Sequence, residues 1–126
     1  MPRRRPTILI CDDDEPLREL MKVTLGDDYR YVEAPDGETA LTLCREERPD
    51  LVLLDVMLPG ANGLQVLEAL RADDRLERLP VVVVSAWQTP DDRAAAATAG
   101  ADGFLGKPFE LEELTTAVSN LLGRSR

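Results

Sequence analysis

Asp12, Asp13 and Asp14 follow the apolar stretch TILIC directly, and a lone carboxylate, Asp55, interrupts the apolar run LVLLDVMLPG. A hydroxyl, Ser85, ends PVVVVS, and an ammonium, Lys107, follows DGFLG. The chain has no histidine, and its two cysteines, Cys11 and Cys44, sit in apolar contexts without CxxC spacing. They read as small buried hydrophobes. With the usual general base and transition-metal ligand missing, any chemistry must run on carboxylates, hydroxyls and amines. Carboxylates gathered in one place repel: two charges ~4 Å apart cost about 4 kcal/mol at a surface-like effective dielectric. A bound cation relieves this. All-oxygen ligands suit a hard ion, Mg²⁺ or Mn²⁺. A carboxylate beside such an ion, a lysine and a hydroxyl is equipped to receive a phosphoryl group. The cations neutralise charge on the equatorial oxygens while the carboxylate attacks in line.

Five strand–helix alternations must position these groups. TILIC (7–11) reads as the first strand. Asp14 caps a helix in which Leu17, Leu20, Met21 and Leu25 share a face, and Gly26 ends it. A weaker strand, 29–34, follows. Asp36-Gly37 opens the second helix, with Ala40, Leu41 and Cys44 inward, and Arg48-Pro49 closes it. The third strand spans 51–55, with Pro59-Gly60 as a turn. The third helix starts near Asn62-Gly63 and uses Val66, Leu67 and Leu70. PVVVVS (80–85) is the most apolar strand and is expected at the centre of the sheet. Thr89 caps the fourth helix, with Pro90, Asp91 and Asp92 in its first turn and Gly100 at its end. DGFL (102–105) is a short fifth strand. The fifth helix, about 111–122, has a stripe of Leu111, Leu114, Val118 and Leu121.

Such alternation implies an α/β fold, a doubly wound five-stranded parallel sheet in the flavodoxin-like order 2-1-3-4-5. Ligands of that architecture bind at the carboxyl ends of the strands, between the first and third. The Asp12–Asp14 run, Asp55, Ser85 and Lys107 all fall at those ends. This explains the lone carboxylate of LVLLD: it sits at a strand tip among polar neighbours rather than unpaired in a core. Asp14 alone is accounted for as a helix cap.

The 126 residues carry 44% hydrophobic and 31% charged side chains and a net charge of −9. These values fit one globular domain, here 1–126 with a core of about 6–123 and tails at 1–5 and 124–126. The acidic balance argues against direct nucleic-acid binding. No apolar run approaches the ~18 residues of a membrane span, and a cytoplasmic protein is expected. Arg3, Arg4 and Arg5 read as a solvated end.

The stretches ILICDDDEPLREL, PDLVLLDVMLPGANGLQVL, VVVVSA and AGADGFLGKPFELEEL resemble the receiver domains of two-component response regulators over nearly the whole chain. The resemblance implies that Asp55 is the phosphoacceptor and that Asp12 and Asp13 are an acidic pair. Asp13 would bind Mg²⁺ directly and Asp12 through water, and Met57 would lend its backbone carbonyl. It makes Ser85 the switch hydroxyl, Ala86 a backbone N–H donor to the phosphoryl group, Phe104 the switch aromatic and Lys107 a phosphoryl partner. The Lys107-Pro108 peptide is expected to be cis. A sensor histidine kinase or phosphotransfer protein would supply the phosphoryl group. A downstream partner or a second copy would meet the face of the fourth helix, fifth strand and fifth helix. Enzyme character would be limited to weak self-phosphorylation and self-dephosphorylation.

Three alternatives compete. A pseudo-receiver that binds partners without phosphorylation is opposed by the presence of Asp13, Asp55, Ser85 and Lys107. An aspartyl-phosphate phosphatase expects a second Asp two residues after the nucleophile, where Met57 stands. Dinucleotide binding lacks GxGxxG and meets an acidic loop after the first strand. Trp87, two residues after Ser85, is bulky for the mouth of such a site. With Met57 it is expected to flank the approach of water and to give a slow-decaying phosphorylated state.

Overall fold

The structure, a computed structural model, describes residues 5–57, 62–86 and 89–123. Five strands, β1 (Thr7–Cys11), β2 (Arg30–Ala34), β3 (Leu51–Leu54), β4 (Val81–Ser85) and β5 (Gly103–Gly106), alternate with five helices. These are α1 (Glu15–Leu25), α2 (Gly37–Glu47), α3 (Gly63–Ala72), α4 (Pro90–Ala99) and α5 (Leu111–Leu122). The strands form one sheet in the order β2-β1-β3-β4-β5, and every neighbouring pair is parallel. The expected order holds. β4 is paired on both sides, but the middle position belongs to β3. Apolarity reports that a strand is covered on both faces, and β1, β3 and β4 are all fully buried, so it cannot rank them.

Alternation within each strand divides the core in two. Leu9, Val52, Leu54, Val81 and Val83 meet α2, α3 and α4 through residues such as Ala40, Cys44, Val66, Leu67, Leu70 and Ala96. Ile8, Ile10, Leu51, Leu53, Val82 and Val84 meet α1 and α5 through Met21, Leu25, Leu114 and Val118. Two expected core positions are not core. Leu20 and Leu111 are 44% and 48% exposed. The inward stripe of α1 runs through Leu17, Met21 and Leu25 at spacings of four, which leaves Leu20 at its edge. Leu111 is the first residue of α5, before the helix reaches the sheet.

Local signals fix the helix starts. Asp14 accepts from Leu17 N, Asp36 from Thr39 N, Asn62 from Gln65 N and Thr89 from Asp92 N, the last two as reciprocal capping boxes. Gly100, at φ 108°, ends α4 in the left-handed region. Arg71 of α3 donates to its carbonyl and to Asp102, tying α3, α4 and the start of β5 together. The Lys107-Pro108 peptide is cis, as expected.

Candidate functional site

Backbone bonds that extend the sheet past the strand ends set the site. Asp12 N donates to Ala34 O at 3.0 Å, Asp55 N to Cys11 O at 3.0 Å, and Lys107 N to Ser85 O at 2.8 Å. Each bond carries the parallel ladder one residue beyond a strand, so the polar residue that ends each run is anchored as firmly as the strand. The side chains then converge. Oxygens of Asp12, Asp13 and Asp55 lie within 4.8 Å of one another. Lys107 Nζ donates to Asp12 Oδ2 at 2.8 Å and to Asp55 Oδ2 at 3.0 Å.

The second carboxylate oxygens of Asp12 and Asp55 are also engaged. Asp12 Oδ1 accepts from Asp14 N at 2.9 Å, and Asp55 Oδ1 from Met57 N at 2.8 Å. Asp12 and Asp55 are buried, with only 2% and 5% exposed, whereas Asp13 is exposed. Two carboxylates so withdrawn from water are tolerable only with charge compensation, and Lys107 provides it. Burial works against its ammonium, yet hydrogen bonds to Asp12 and Asp55 outweigh this and raise its pKa above the ordinary lysine value. Three carboxylates with no nitrogen or sulfur donor among them fit a hard divalent cation.

The other expected residues lie on the neighbouring strands and just after them. Ser85 is fully buried at the end of β4 and pairs in register with Gly106; Ala86, exposed, follows it. Met57 is 46% exposed beside Asp55. Phe104 lies on β5, opposite Val83 in register and half-buried. Trp87 and the Pro59-Gly60 turn lie outside the described residues. Both cysteines are free and buried. Burial pushes the Cys44 thiol up to about 12 and the Cys11 thiol higher still, so neither is a nucleophile at neutral pH.

Two residues have roles at the site that the sequence alone does not assign. Arg18, on α1, donates to the Asp12 carbonyl at 2.6 Å and to Glu33 of β2 at 2.9 Å, pinning the acidic loop to the sheet edge. Gly63 opens α3 against the backbone after β3. A Cβ there would fall on Val56 Cα and the Asp55 carbonyl oxygen. Both depend on contacts with other elements or loops, which the pattern of their own segment does not specify; the Asn62-Gly63 pair signals only a helix start. A hollow of about 370 Å³ beside Pro49 and Pro80, which precede β3 and β4, lies at the opposite end of the sheet and contains none of the clustered groups.

Comparison with known proteins follows the same lines. The response regulator receiver domain family matches residues 8–119. The transcriptional regulatory protein TcrX of Mycobacterium tuberculosis is 39% identical over 94% of this chain and 50% of its own length. The DNA-binding response regulator MtrA of Mycolicibacterium smegmatis is 41% identical over 99% of this chain and 54% of its own. The chain thus spans about half the length of the curated relatives it matches. Among solved structures, a response regulator of Chloroflexus aurantiacus superposes with a TM-score of 0.90 at 34% identity, covering 96% of this chain and 100% of that one. The phosphorylated cyanobacterial phytochrome response regulator RcpA does so at 0.86 and 26%, covering 98% of each. On its fold, its carboxylate cluster and these matches, the chain belongs to the receiver domain family of two-component response regulators.

Proposed function

We propose that the carboxylate–lysine cluster is a phosphoryl-accepting switch with Asp55 as the acceptor. The observation that carries this reading is the double ion pair of Lys107 to Asp12 and Asp55, beside an exposed third carboxylate, Asp13. An Asp55 carboxylate oxygen attacks phosphorus. The phosphorus–nitrogen bond of a phosphohistidine breaks, and its electron pair leaves with the imidazole. Asp12, Asp13, Asp55 and the Met57 carbonyl would hold Mg²⁺, or Mn²⁺, which when bound neutralises charge on the transferring oxygens. Lys107 then exchanges a carboxylate partner for a phosphoryl oxygen, a charge-assisted bond. The Ser85 hydroxyl and the Ala86 N–H take up the remaining oxygens, and Phe104 turns inward to reshape the α4–β5–α5 face.

The donor is a sensor histidine kinase or phosphotransfer protein, and the reshaped face meets a downstream protein or a second copy of the chain. Residues of about 6–123 act as one receiver unit in the cytoplasm. No helix among the described residues is long and apolar enough to cross a membrane. MtrA is named a DNA-binding regulator and is about twice as long as this chain. The expectation of no nucleic-acid contact therefore concerns this segment and does not extend to a longer protein.

The test is intact mass after incubation with a small phosphodonor and Mg²⁺. Wild type should gain one phosphoryl group, and Asp55→Asn, whose amide is no nucleophile, should fold and gain none. An adduct persisting on the Asn variant would exclude Asp55 as acceptor. No adduct on wild type would favour the pseudo-receiver reading.

A further inference from the structure

Phe104 stands between two hollows. On one side is a cavity of about 80 Å³ lined by Val56, Leu64, Ala95 and Ala96, with Asp92 also in its wall. On the other is a more open depression of about 180 Å³ bounded by Arg93, Ala97, Ala101 and Asp102. The ring and Ala96 border both. Val56, in the wall of the inner cavity, directly follows Asp55 and is buried. Room beside an aromatic ring is unused contact: moving into it would gain dispersion and apolar burial. A ring that stays half-buried next to such a space needs something on its outer side.

Arg93 is placed to be that group. Its Cζ lies 4.5 Å from the Phe104 ring centroid, within the ~6 Å reach of a cation–π contact. It is exposed on α4, where its neighbours Ala94, Ala95 and Ala97 are small. Charge on the outer ring face rewards the ring for remaining where a solvated guanidinium can reach it.

We infer that Arg93 is a positioning residue for Phe104: its guanidinium holds the ring on the outer side and so sets the resting balance of the switch. The inference rests on the switching role proposed for Phe104. A cation–π contact at an exposed site biases two ring positions by about two- to fivefold. Losing it should raise the inward population by that factor, and with it the rate at which a small phosphodonor labels Asp55.

The experiment compares wild type, Arg93→Gln, Arg93→Lys, Phe104→Leu and the Arg93→Gln/Phe104→Leu double variant by methyl NMR without phosphodonor. The readouts are the Val56 and Leu64 methyl resonances and their nuclear Overhauser contacts to the Phe104 ring. Arg93→Gln should bring ring and methyls closer, and Arg93→Lys should stay near wild type because the cation is kept. In the Phe104→Leu background Arg93→Gln should leave the methyl shifts unmoved. Unchanged methyls in Arg93→Gln, or equal shifts with and without Phe104, would overturn the inference. Phosphodonor labelling is read separately. If wild type failed to label at Asp55 the proposed function would fall, while the unphosphorylated NMR comparison would still decide whether Arg93 holds the ring.

Discussion

Lys107 carries its charge between two carboxylates almost wholly withdrawn from water, with side chains 2% and 6% exposed. Its raised pKa fixes the sign of its contribution. A lysine raised in the folded state stabilises below its unfolded value near 10.5 and loses that stabilisation as pH climbs through the folded value. The ammonium is thus in place throughout the neutral range. Lys107→Ala leaves Asp12 and Asp55 without this cation. It should destabilise the metal-free protein by about 2 kcal/mol, below the ~3–5 kcal/mol of breaking a fully buried pair, because the lysine is partly solvated. The same variant should bind Mg²⁺ at least as tightly as wild type, since a competing cation has gone, yet lose the conformational response to a phosphoryl mimic. Denaturant midpoints and an Mg²⁺ titration check both halves, and weaker Mg²⁺ binding would count against the competition.

Helix termini and strand runs were readable because their causes are local. Asp14, Asp36, Asn62 and Thr89 cap the helices they precede, and apolar runs ending in polar residues announced the strand tips. Leu20 and Leu111 fall outside the core: periodicity defines a stripe but not its width or where a helix leaves the sheet. Arg18, Gly63 and Arg93 were silent for a stronger reason: each acts on a residue of another element, and no pattern in its own segment encodes that. Gly63 illustrates the consequence. Its Cβ position is occupied by backbone rather than by a flexible side chain, so Gly63→Ala must push the segment after β3 away from α3. Overpacking of this kind costs about 1–3 kcal/mol, and the shift should also weaken Mg²⁺ binding by moving Asp55. An unchanged midpoint and affinity would show that the segment yields freely. Asp36 tests capping through pH. Its bond from the Thr39 N–H holds its carboxyl below the usual 3.8, so its stabilisation is present above that value and fades as pH falls through the lower folded one. Asp36→Ala should therefore unfold at lower denaturant than wild type at pH 7, and the gap should narrow in acid. A gap independent of pH would place the effect elsewhere than in the carboxylate.

The whole molecule carries a net charge of −9, and three of its carboxylates meet within 4.8 Å. Self-repulsion on that scale opposes the compact state, and salt should relieve it, since exposed charges are screened over ~8–10 Å at moderate ionic strength. Asp13 is the exposed member of the cluster, while the two short ion pairs of Lys107 go to Asp12 and Asp55. Removing its charge therefore reduces repulsion without breaking those pairs. Asp13→Asn should be modestly more stable than wild type in metal-free buffer, and the advantage should shrink as sodium chloride is added. If the cluster holds the cation as proposed, Mg²⁺ should reverse the order. A cation that binds only the folded state adds about 2.7 kcal/mol at a hundredfold excess over its dissociation constant, and wild type should collect that increment where Asp13→Asn, lacking a ligand oxygen's charge, collects little. The two proteins should thus exchange rank between chelator and saturating Mg²⁺. Urea unfolding in both buffers measures this directly. A variant less stable than wild type without metal would mean that Asp13 is held by attraction rather than crowded by repulsion. An undiminished Mg²⁺ increment would remove Asp13 from the ligand set and leave the cation to Asp12 and Asp55.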